Sequence, residues 1–193
     1  MALIVASLLC AVAKGDLAER ARLGEVSAML ELAANHENGV GAAKDMAAAV
    51  QWYEKAAGEG NPDAQMKLGS LYIGGRGVKK SSTEAAKWFL LCAEQGNAAA
   101  QCQVGRMCLS GAGLPKDEIE AYKWSYVAAA QGDLTAKKLL SFLKQQMPVD
   151  LVEKGHQRAL EFAALKPLDL PLDLPSEIID PVDPAELLIP VEP

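Results

Sequence analysis

The chain has 193 residues, a net charge of −6 and an apolar content of 50%, much of it alanine. Nucleic-acid binding is not expected, because phosphate contacts need clustered Lys and Arg, and the sequence has no basic run. Aromatic residues make up only 5%, so stability is expected to come from many contacts between neighbouring helices rather than from one dense core.

Residues 1–24 have two interpretations. Residues 2–13 form an uncharged apolar run that is too short to span a membrane, and residues 11–13 (Ala-Val-Ala) resemble a signal-peptidase site. Alternatively, this stretch is a degenerate second helix of an earlier repeat, since Ala21 and Gly24 fit the repeat positions described below. We favour export, which predicts a periplasmic or secreted location, with a cytoplasmic location as the alternative. No transmembrane segment is predicted.

From residue 25 onward the sequence repeats every 36 residues without an insertion. A fixed period of this length is typical of stacked, identical structural units. The recurring positions include Trp52, Trp88 and Trp124, then Ala28, Ala64 and Ala100, and also Gly39, Gly75 and Gly111. The period predicts three repeats, at 25–60, 61–96 and 97–132, followed by a half repeat and a C-terminal capping helix at 133–165.

Each repeat has the pattern of two helices joined by a glycine-rich turn. In the second repeat, Asn61 and Pro62 form an N-cap followed by a proline in the first helical turn. The glycines of residues 74–77 end that helix, and Ser81 with Glu84 has the form of a capping box that starts the next one. Apolar residues spaced by three and four predict a buried stripe on each helix.

Two sets of equivalent positions, which recur once in each repeat and are called columns here, predict how the helices pack. The tryptophan column is predicted to fill the core between helices, because one such side chain can bury roughly 150–250 Å². A second column is small in every unit, at Ala33, Gly69, Gly105 and Ser141. Glycine inside a helix costs up to about 1 kcal/mol relative to alanine, so this column predicts the close approach of a neighbouring helix.

The pattern Ala-x3-Leu-Gly-x2-Tyr-x2-Gly-x-Gly, followed by a lysine and Ala-x2-Trp-Phe, resembles the Sel1-like repeat, a longer relative of the tetratricopeptide repeat. Residues 64–72 and 84–89 match it most closely, and residues 48–57 match nearly as well. The positions that depart from the pattern are His36, Val104, Cys108 and Ser125. The resemblance implies an all-α fold, a right-handed α-α superhelix built as a solenoid of helix-turn-helix repeats, and a capping helix of the kind seen in bacterial arrays.

The resemblance also implies a protein-binding surface. In the tetratricopeptide relatives the first helix of each unit lines a concave face, and the register places a row of residues of this chain there. The row is Leu30, Ala34, Glu37, Met66, Ser70, Ile73, Cys102, Arg106, Leu109, Lys138 and Phe142. It is mainly apolar with one or two cations, which suits an extended or helical peptide that has an acidic group. Alternatively, neighbouring helices bury these side chains and no ligand binds there.

We therefore predict a scaffold or adaptor that binds a protein or peptide partner, without a cofactor and without enzymatic activity. Two alternatives stay open. One is an exported hydrolase or binder of peptidoglycan fragments, and the other is a regulator whose acidic tail occupies its own groove. The sequence does not predict the oligomeric state.

Candidate catalytic residues are few. His36 occupies a tyrosine position and is predicted to pack, His156 is predicted to be solvated, and no residue cluster has metal-ligand spacing. Residues 74–80 resemble a phosphate-binding loop, but the equivalent glycines of the other repeats identify this stretch as an inter-helix turn. Cys92 and Cys102 flank a turn, which allows a disulfide, although buried free thiols are the favoured prediction.

Residues 166–193 differ in character from the repeats. The segment is acidic and has seven prolines, each of which removes a backbone donor and restricts the preceding residue. We expect this tail to be extended, unpacked and disordered. Its leucines and isoleucines leave a second option, that the tail docks along a groove of its own array or of a partner.

Overall fold

The structure is a computed structural model that describes residues 17–165 and 187–189. The regular secondary structure of these residues is α-helical throughout. After a helical segment at 17–22, the helices are α1 Val26–Asn38, α2 Met46–Gly58, α3 Pro62–Gly74, α4 Ser82–Glu94, α5 Ala98–Ser110, α6 Glu118–Ala130, α7 Leu134–Gln146 and α8 Val149–Leu165. The chain forms two compact units, Met1–Lys80 with α1 to α3 and Ser81–Pro193 with α4 to α8.

Polar side chains begin the helices where the sequence predicts them. The N-cap residues whose side chains accept a backbone N–H hydrogen bond are Asp45, Asn61, Ser81, Asn97, Asp117 and Asp133. Each such cap stabilises its helix by about 1 kcal/mol, because the first N–H groups of a helix have no intrahelical partner. The carboxylate of Glu84, predicted to reach back to Ser81, instead lies 2.5 Å from the Lys87 ammonium.

Steric contact explains one of the glycine columns. Gly77 and Gly113 lie in the inter-helix turns with φ of +75° and +77°, a conformation that other residues rarely adopt. A Cβ at Gly77 would lie 2.5 Å from the carbonyl oxygen of Met46, and a Cβ at Gly113 would lie 2.2 Å from that of Ser82. In both cases the turn therefore packs directly on the start of the second helix of the preceding repeat.

The small-residue column allows close packing of α5 on α6. A Cβ at Gly105 would lie only 2.8 Å from the hydroxyl oxygen of Ser125, which is itself buried and donates to the carbonyl of Ala121 at 2.6 Å. The predicted close approach of a neighbouring helix is confirmed at Gly105.

The tryptophan column is less uniform than predicted. Trp124 is only 4% exposed, because Phe162 of α8 lies edge-on to its ring at 5.0 Å between centroids. Trp52 and Trp88 are half-buried, and the Lys55 ammonium lies 4.0 Å from the Trp52 ring centroid. The prediction that all three tryptophans are core residues is therefore wrong for these two. The neighbouring aromatic column, with Tyr53 and Phe89, is the buried one.

Helix α8 caps the second unit through α6. Gly155 lies against Tyr122, with its virtual Cβ 2.8 Å from the tyrosine Cβ. His156 is half-buried, and its ring lies 4.7 Å from that of Tyr126. The prediction of a solvated His156 is therefore wrong, because the imidazole packs edge-on against a buried aromatic ring.

The helical segment 17–22 continues the repeat pattern. Ala21 is buried like its equivalents in the repeats, and Gly24 has φ +96°, close to the +85° of Gly60 and the +95° of Gly96. The predicted signal-peptidase site lies outside the described residues, so both interpretations of residues 1–24 stay predictions. Within the described part of the chain, no helix combines the length and hydrophobicity needed to cross a membrane.

Candidate functional site

The predicted binding row is distributed over both units. The members in the first unit are all half-buried and lie on α1 and α3: Leu30, Ala34, Glu37, Met66, Ser70 and Ile73. The members in the second unit lie on α5 and α7: Cys102, Arg106, Leu109, Lys138 and Phe142. Of these five, Cys102 and Leu109 are buried and Lys138 is exposed, so a ligand can reach only some of the predicted row.

The side chain of Glu37 makes its polar contacts within the first unit. The Tyr53 hydroxyl donates to its carboxylate at 2.9 Å, and the Lys67 ammonium lies 3.0 Å from the same oxygen. Burial alone would raise the pKa of Glu37, but the hydrogen bonds from Lys67 and Tyr53 outweigh it and lower that pKa. Burial and the neighbouring carboxylate also raise the pKa of Tyr53 above its usual value. Glu37 therefore links α1 to α2 and α3, a structural role.

Arg106 contacts the C-terminal tail. Its Nε donates to the main-chain oxygen of Leu187 at 2.7 Å, and its Nη2 lies 3.5 Å from the oxygen of Leu188. A further guanidinium nitrogen donates to the side chain of Gln103 on the same helix at 3.4 Å. Two of its nitrogens therefore bind main-chain carbonyls of the tail, and the predicted contact with an acidic group of a partner stays a prediction.

The tail is packed at residues 187–189. Leu187 is 2% exposed and Ile189 is 7% exposed, whereas Leu188 between them is 40% exposed. The expectation of an unpacked tail is wrong for these residues, because the side chains of Leu187 and Ile189 are buried and the carbonyls of Leu187 and Leu188 accept from Arg106. The second option, docking on the chain's own array, describes them correctly. The rest of the tail lies outside the described residues.

The backbone of this segment explains why a cation suits it. Leu187 has helical conformation, and Leu188 and Ile189 follow without regular secondary structure. Main-chain carbonyls outside regular secondary structure need other donors, and an Arg side chain can supply several. Arg106 therefore binds main-chain carbonyls, which a partner segment of similar backbone geometry also offers.

A cavity of about 490 Å³ lies beside the seated segment. Its lining comes from the end of α5, the start of α6, the end of α7 and the tail: Leu109, Ser110, Lys116, Glu118, Phe142, Leu143, Gln146, Met147, Leu188 and Ile189. We call this cavity with the Arg106 side chain the second-unit groove. Leu109 and Phe142 had been predicted, whereas Lys116, Glu118, Gln146 and Met147 had not.

The repeat register contains a signal for this groove. Ala34, Ser70, Arg106 and Phe142 occupy one column at intervals of 36 residues. The column is small in the first two repeats and large in the last two, where the tail is seated. In the tail, residues 187–189 are the longest uninterrupted apolar run. Both signals are visible in the sequence, but neither shows that the two segments meet.

The cysteines do not resemble an activated nucleophile. Burial raises the pKa of Cys102 to about 12, with a further contribution from Asp133, and burial likewise raises the pKa of Cys108 to about 12. These two residues and Cys92 are buried and form no disulfide, so the disulfide option does not hold. Within the described residues, no group of three His, Cys, Asp or Glu side chains could hold a metal ion.

The repeated helix pairs, with their shared caps and glycine turns, define an all-α helical-repeat protein of the solenoid class. The Sel1 repeat model matches residues 26–61, 62–97 and 98–133. The chain therefore belongs to the Sel1 repeat family. Proteins built on this fold generally mediate protein–protein interactions, and such scaffolds are generally non-enzymatic.

Two solved structures show the same relationship. A Sel1 repeat protein from Oxalobacter formigenes is 40% identical, with a TM-score of 0.61 over 66% of this chain and 96% of that one. A protective antigen of uropathogenic Escherichia coli with an SLR fold is 33% identical, with a TM-score of 0.65 over 75% of this chain. The chain spans only 32% of that antigen. No curated protein matches the chain significantly.

Proposed function

We propose that this chain is a protein-interaction scaffold whose second unit binds a segment of a partner protein in the second-unit groove. The observation that carries the proposal is the seating of Leu187 to Ile189 under Arg106. The tail acts as a stand-in for a partner segment, since it has two buried apolar side chains beside main-chain carbonyls that Arg106 binds. The general role of the family in protein binding supports the same function.

The balance of energies favours an exchangeable contact. Full burial of a Leu or Ile side chain contributes about 1.5–3 kcal/mol. Fixing the backbone of one residue costs roughly 1–2 kcal/mol, so burying two side chains is nearly offset by ordering three residues. Hydrogen bonds to a charged group contribute about 1.5–3 kcal/mol each, which makes the guanidinium of Arg106 the group that decides whether a segment stays bound.

The test uses the full chain with its own tail released. The double variant Leu187→Asp/Ile189→Asp removes both buried apolar side chains of the tail, and burying two carboxylates beside the single guanidinium of Arg106 costs more than that one ion pair returns. A fluorescent peptide with the sequence of residues 180–193 is then titrated and followed by anisotropy. We expect saturable binding, weakened by on the order of tenfold when Arg106→Met is added to the double variant.

Lys138→Met is the matched control for Arg106→Met. It removes an exposed cation from the same predicted row but leaves the guanidinium in place. We expect the peptide affinity to be unchanged in this variant. No binding to the double variant, or equal losses from both substitutions, would refute the proposed site.

A second candidate function is a regulator whose own tail blocks the groove. The observation that favours it is that the segment seated there belongs to the chain itself. In that case the unaltered chain binds the labelled peptide more weakly than the Leu187→Asp/Ile189→Asp variant does, because the tethered tail competes at high effective concentration. Equal affinities would leave the scaffold function and exclude self-occlusion.

A further inference from the structure

The side chain of Leu188 borders the cavity of the second-unit groove but does not bury itself there. It is 40% exposed, while its neighbours Leu187 and Ile189 are almost fully buried. We propose that this cavity is a specificity pocket for a large apolar side chain, an aromatic ring above all, at the position of Leu188 in a bound partner segment. This inference rests on the proposed function and names the kind of partner that the groove selects.

The size and the apolar wall of the cavity suit a large apolar side chain. Its volume of about 490 Å³ lies within the range of roughly 300–1,000 Å³ that is usual for ligand pockets. Phe142, Leu143 and Met147 provide an apolar wall at the end of α7. A phenylalanine ring favours an aromatic neighbour in edge or offset contact, and a methionine sulfur also packs well against ring edges.

The contacts on both sides of Leu188 fix the position of a bound segment beside the cavity. Arg106 binds the carbonyls of Leu187 and Leu188, and the side chains on both sides of Leu188 are buried. These contacts fix the register of a bound segment, so its middle side chain is presented at the cavity. The groove thus suits a segment with the order apolar, aromatic, apolar.

Polar groups at the cavity define the rest of the partner's chemistry. Ser110, Lys116, Glu118 and Gln146 contribute to its lining. These side chains suit a ring with a polar edge as well as phenylalanine. The cation of Arg106 disfavours a partner segment with a nearby Lys or Arg, since like charges repel.

The tail of this chain is then a weaker occupant than the partner. It supplies both anchors, but the leucine at its middle position stays 40% exposed. A partner segment with an aromatic ring there gains contacts that the tail lacks. Such a segment can displace the tail.

Titration with labelled peptides tests this specificity on the full-length Leu187→Asp/Ile189→Asp variant. Three labelled peptides are compared: residues 180–193 unaltered, the same peptide with phenylalanine at the position of Leu188, and a control with phenylalanine at the position of Val191. We expect the first phenylalanine peptide to bind tighter than the unaltered one by on the order of tenfold, and the control by less than about twofold.

The outcomes separate the two proposals. Equal affinities for the unaltered peptide and the Leu188-position peptide overturn the specificity pocket while the proposed function stands. An equal gain for both phenylalanine peptides also overturns it, because the gain is then unspecific. If none of the peptides binds, the proposed function fails and the pocket fails with it.

A pocket variant provides the second measurement. Adding Phe142→Ala to the double variant, with its helix content checked by circular dichroism, is expected to reduce the gain from phenylalanine to less than about threefold. Should this variant not fold, Leu188→Phe in the otherwise unaltered chain replaces it. The phenylalanine in the tail should then make the tail a stronger competitor. The labelled unaltered peptide should bind this variant on the order of tenfold more weakly than it binds the natural chain, and an unchanged affinity would overturn the pocket.

Discussion

Arg106 and Leu187 are 81 residues apart in the chain, and the guanidinium Nε of the first lies 2.7 Å from the main-chain oxygen of the second. The cation stands on α5, in a column that holds only small residues in the first two repeats. The hydrogen bond therefore identifies a place where one repeat has departed from its copies. Departures from a repeat are where the function of a scaffold is expected, because the shared positions are needed for stacking.

Gly155→Ala is expected to destabilise the second unit by about 1–3 kcal/mol, since the new methyl group meets Tyr122 at 2.8 Å and overpacks the contact of α8 with α6. Urea unfolding followed by circular dichroism measures the change. Gly58→Ala is the control, because it lies in α2 with nothing within 4 Å of the added Cβ. That substitution should be neutral or stabilising by up to about 1 kcal/mol. Equal effects would contradict the packing described here.

Gly113→Ala tests the contact between a turn and the preceding repeat. Both Gly113 and Gly96 have positive φ, so alanine is strained at either position. Only Gly113 also lies against backbone, at 2.2 Å from the carbonyl of Ser82, whereas the Cβ site of Gly96 is open. We expect Gly113→Ala to lower the free energy of unfolding by about 1–3 kcal/mol more than Gly96→Ala. A difference near zero in urea unfolding would show that the turn does not pack closely.

Glu37 should make the stability of the chain depend on acid pH. Although burial opposes it, hydrogen bonds from Lys67 and Tyr53 lower the pKa of Glu37 below its usual value of 4.5. The folded state then binds this proton more weakly than the unfolded state, so the stabilisation is complete above about pH 4.5 and is lost as the pH falls through the lowered pKa.

The comparison of Glu37→Gln with Glu31→Gln measures this term. Both residues lie on α1, but Glu31 is exposed. Thermal unfolding between pH 3 and pH 7 (roughly the window in which carboxylates titrate) should show a weaker pH dependence for Glu37→Gln alone. The same slope in both variants would assign no role to the contact of Glu37 with Lys67 and Tyr53.

The buried thiols should react slowly in the folded chain. Burial raises the pKa of Cys102 and of Cys108 to about 12, so little thiolate is present near neutral pH. In a Cys10→Ser variant, which leaves the three described cysteines, we expect labelling by a thiol reagent at pH 8 to be slower by at least about 100-fold in buffer than in urea. Fast labelling in buffer would show that these helices open readily or that the thiols are activated.

Most of the fold could be predicted because each repeat restates the same local signals. The caps at Asn61 and Asn97, the glycine turns and the close approach at Gly105 all follow from residue chemistry and a fixed period. Trp52 and Trp88 were misjudged because their burial depends on what covers them. Phe162 covers only Trp124, and periodicity carries no information about such a partner outside the repeat.

The candidate site was predictable only in part. The register found Arg106, Leu109 and Phe142, because the residues of one helix face share a column. Docking of the tail was only the second option and its residues were not identified, since proline-rich composition favours disorder and contacts over 81 residues leave no local pattern. Met147 was missed because it follows the last residue of α7, beyond the repeated positions.

The most direct measurement of the central claim is photo-crosslinking in the full-length chain. A benzophenone amino acid in place of Leu188 should crosslink within the same molecule at the end of α7, between Phe142 and Met147, because these residues share a cavity with Leu188. Adding Arg106→Met should lower the yield of this crosslink, whereas adding Lys138→Met should not. Crosslinks that scatter over both units, or that persist unchanged without the guanidinium, would contradict a groove in which Arg106 holds an apolar segment.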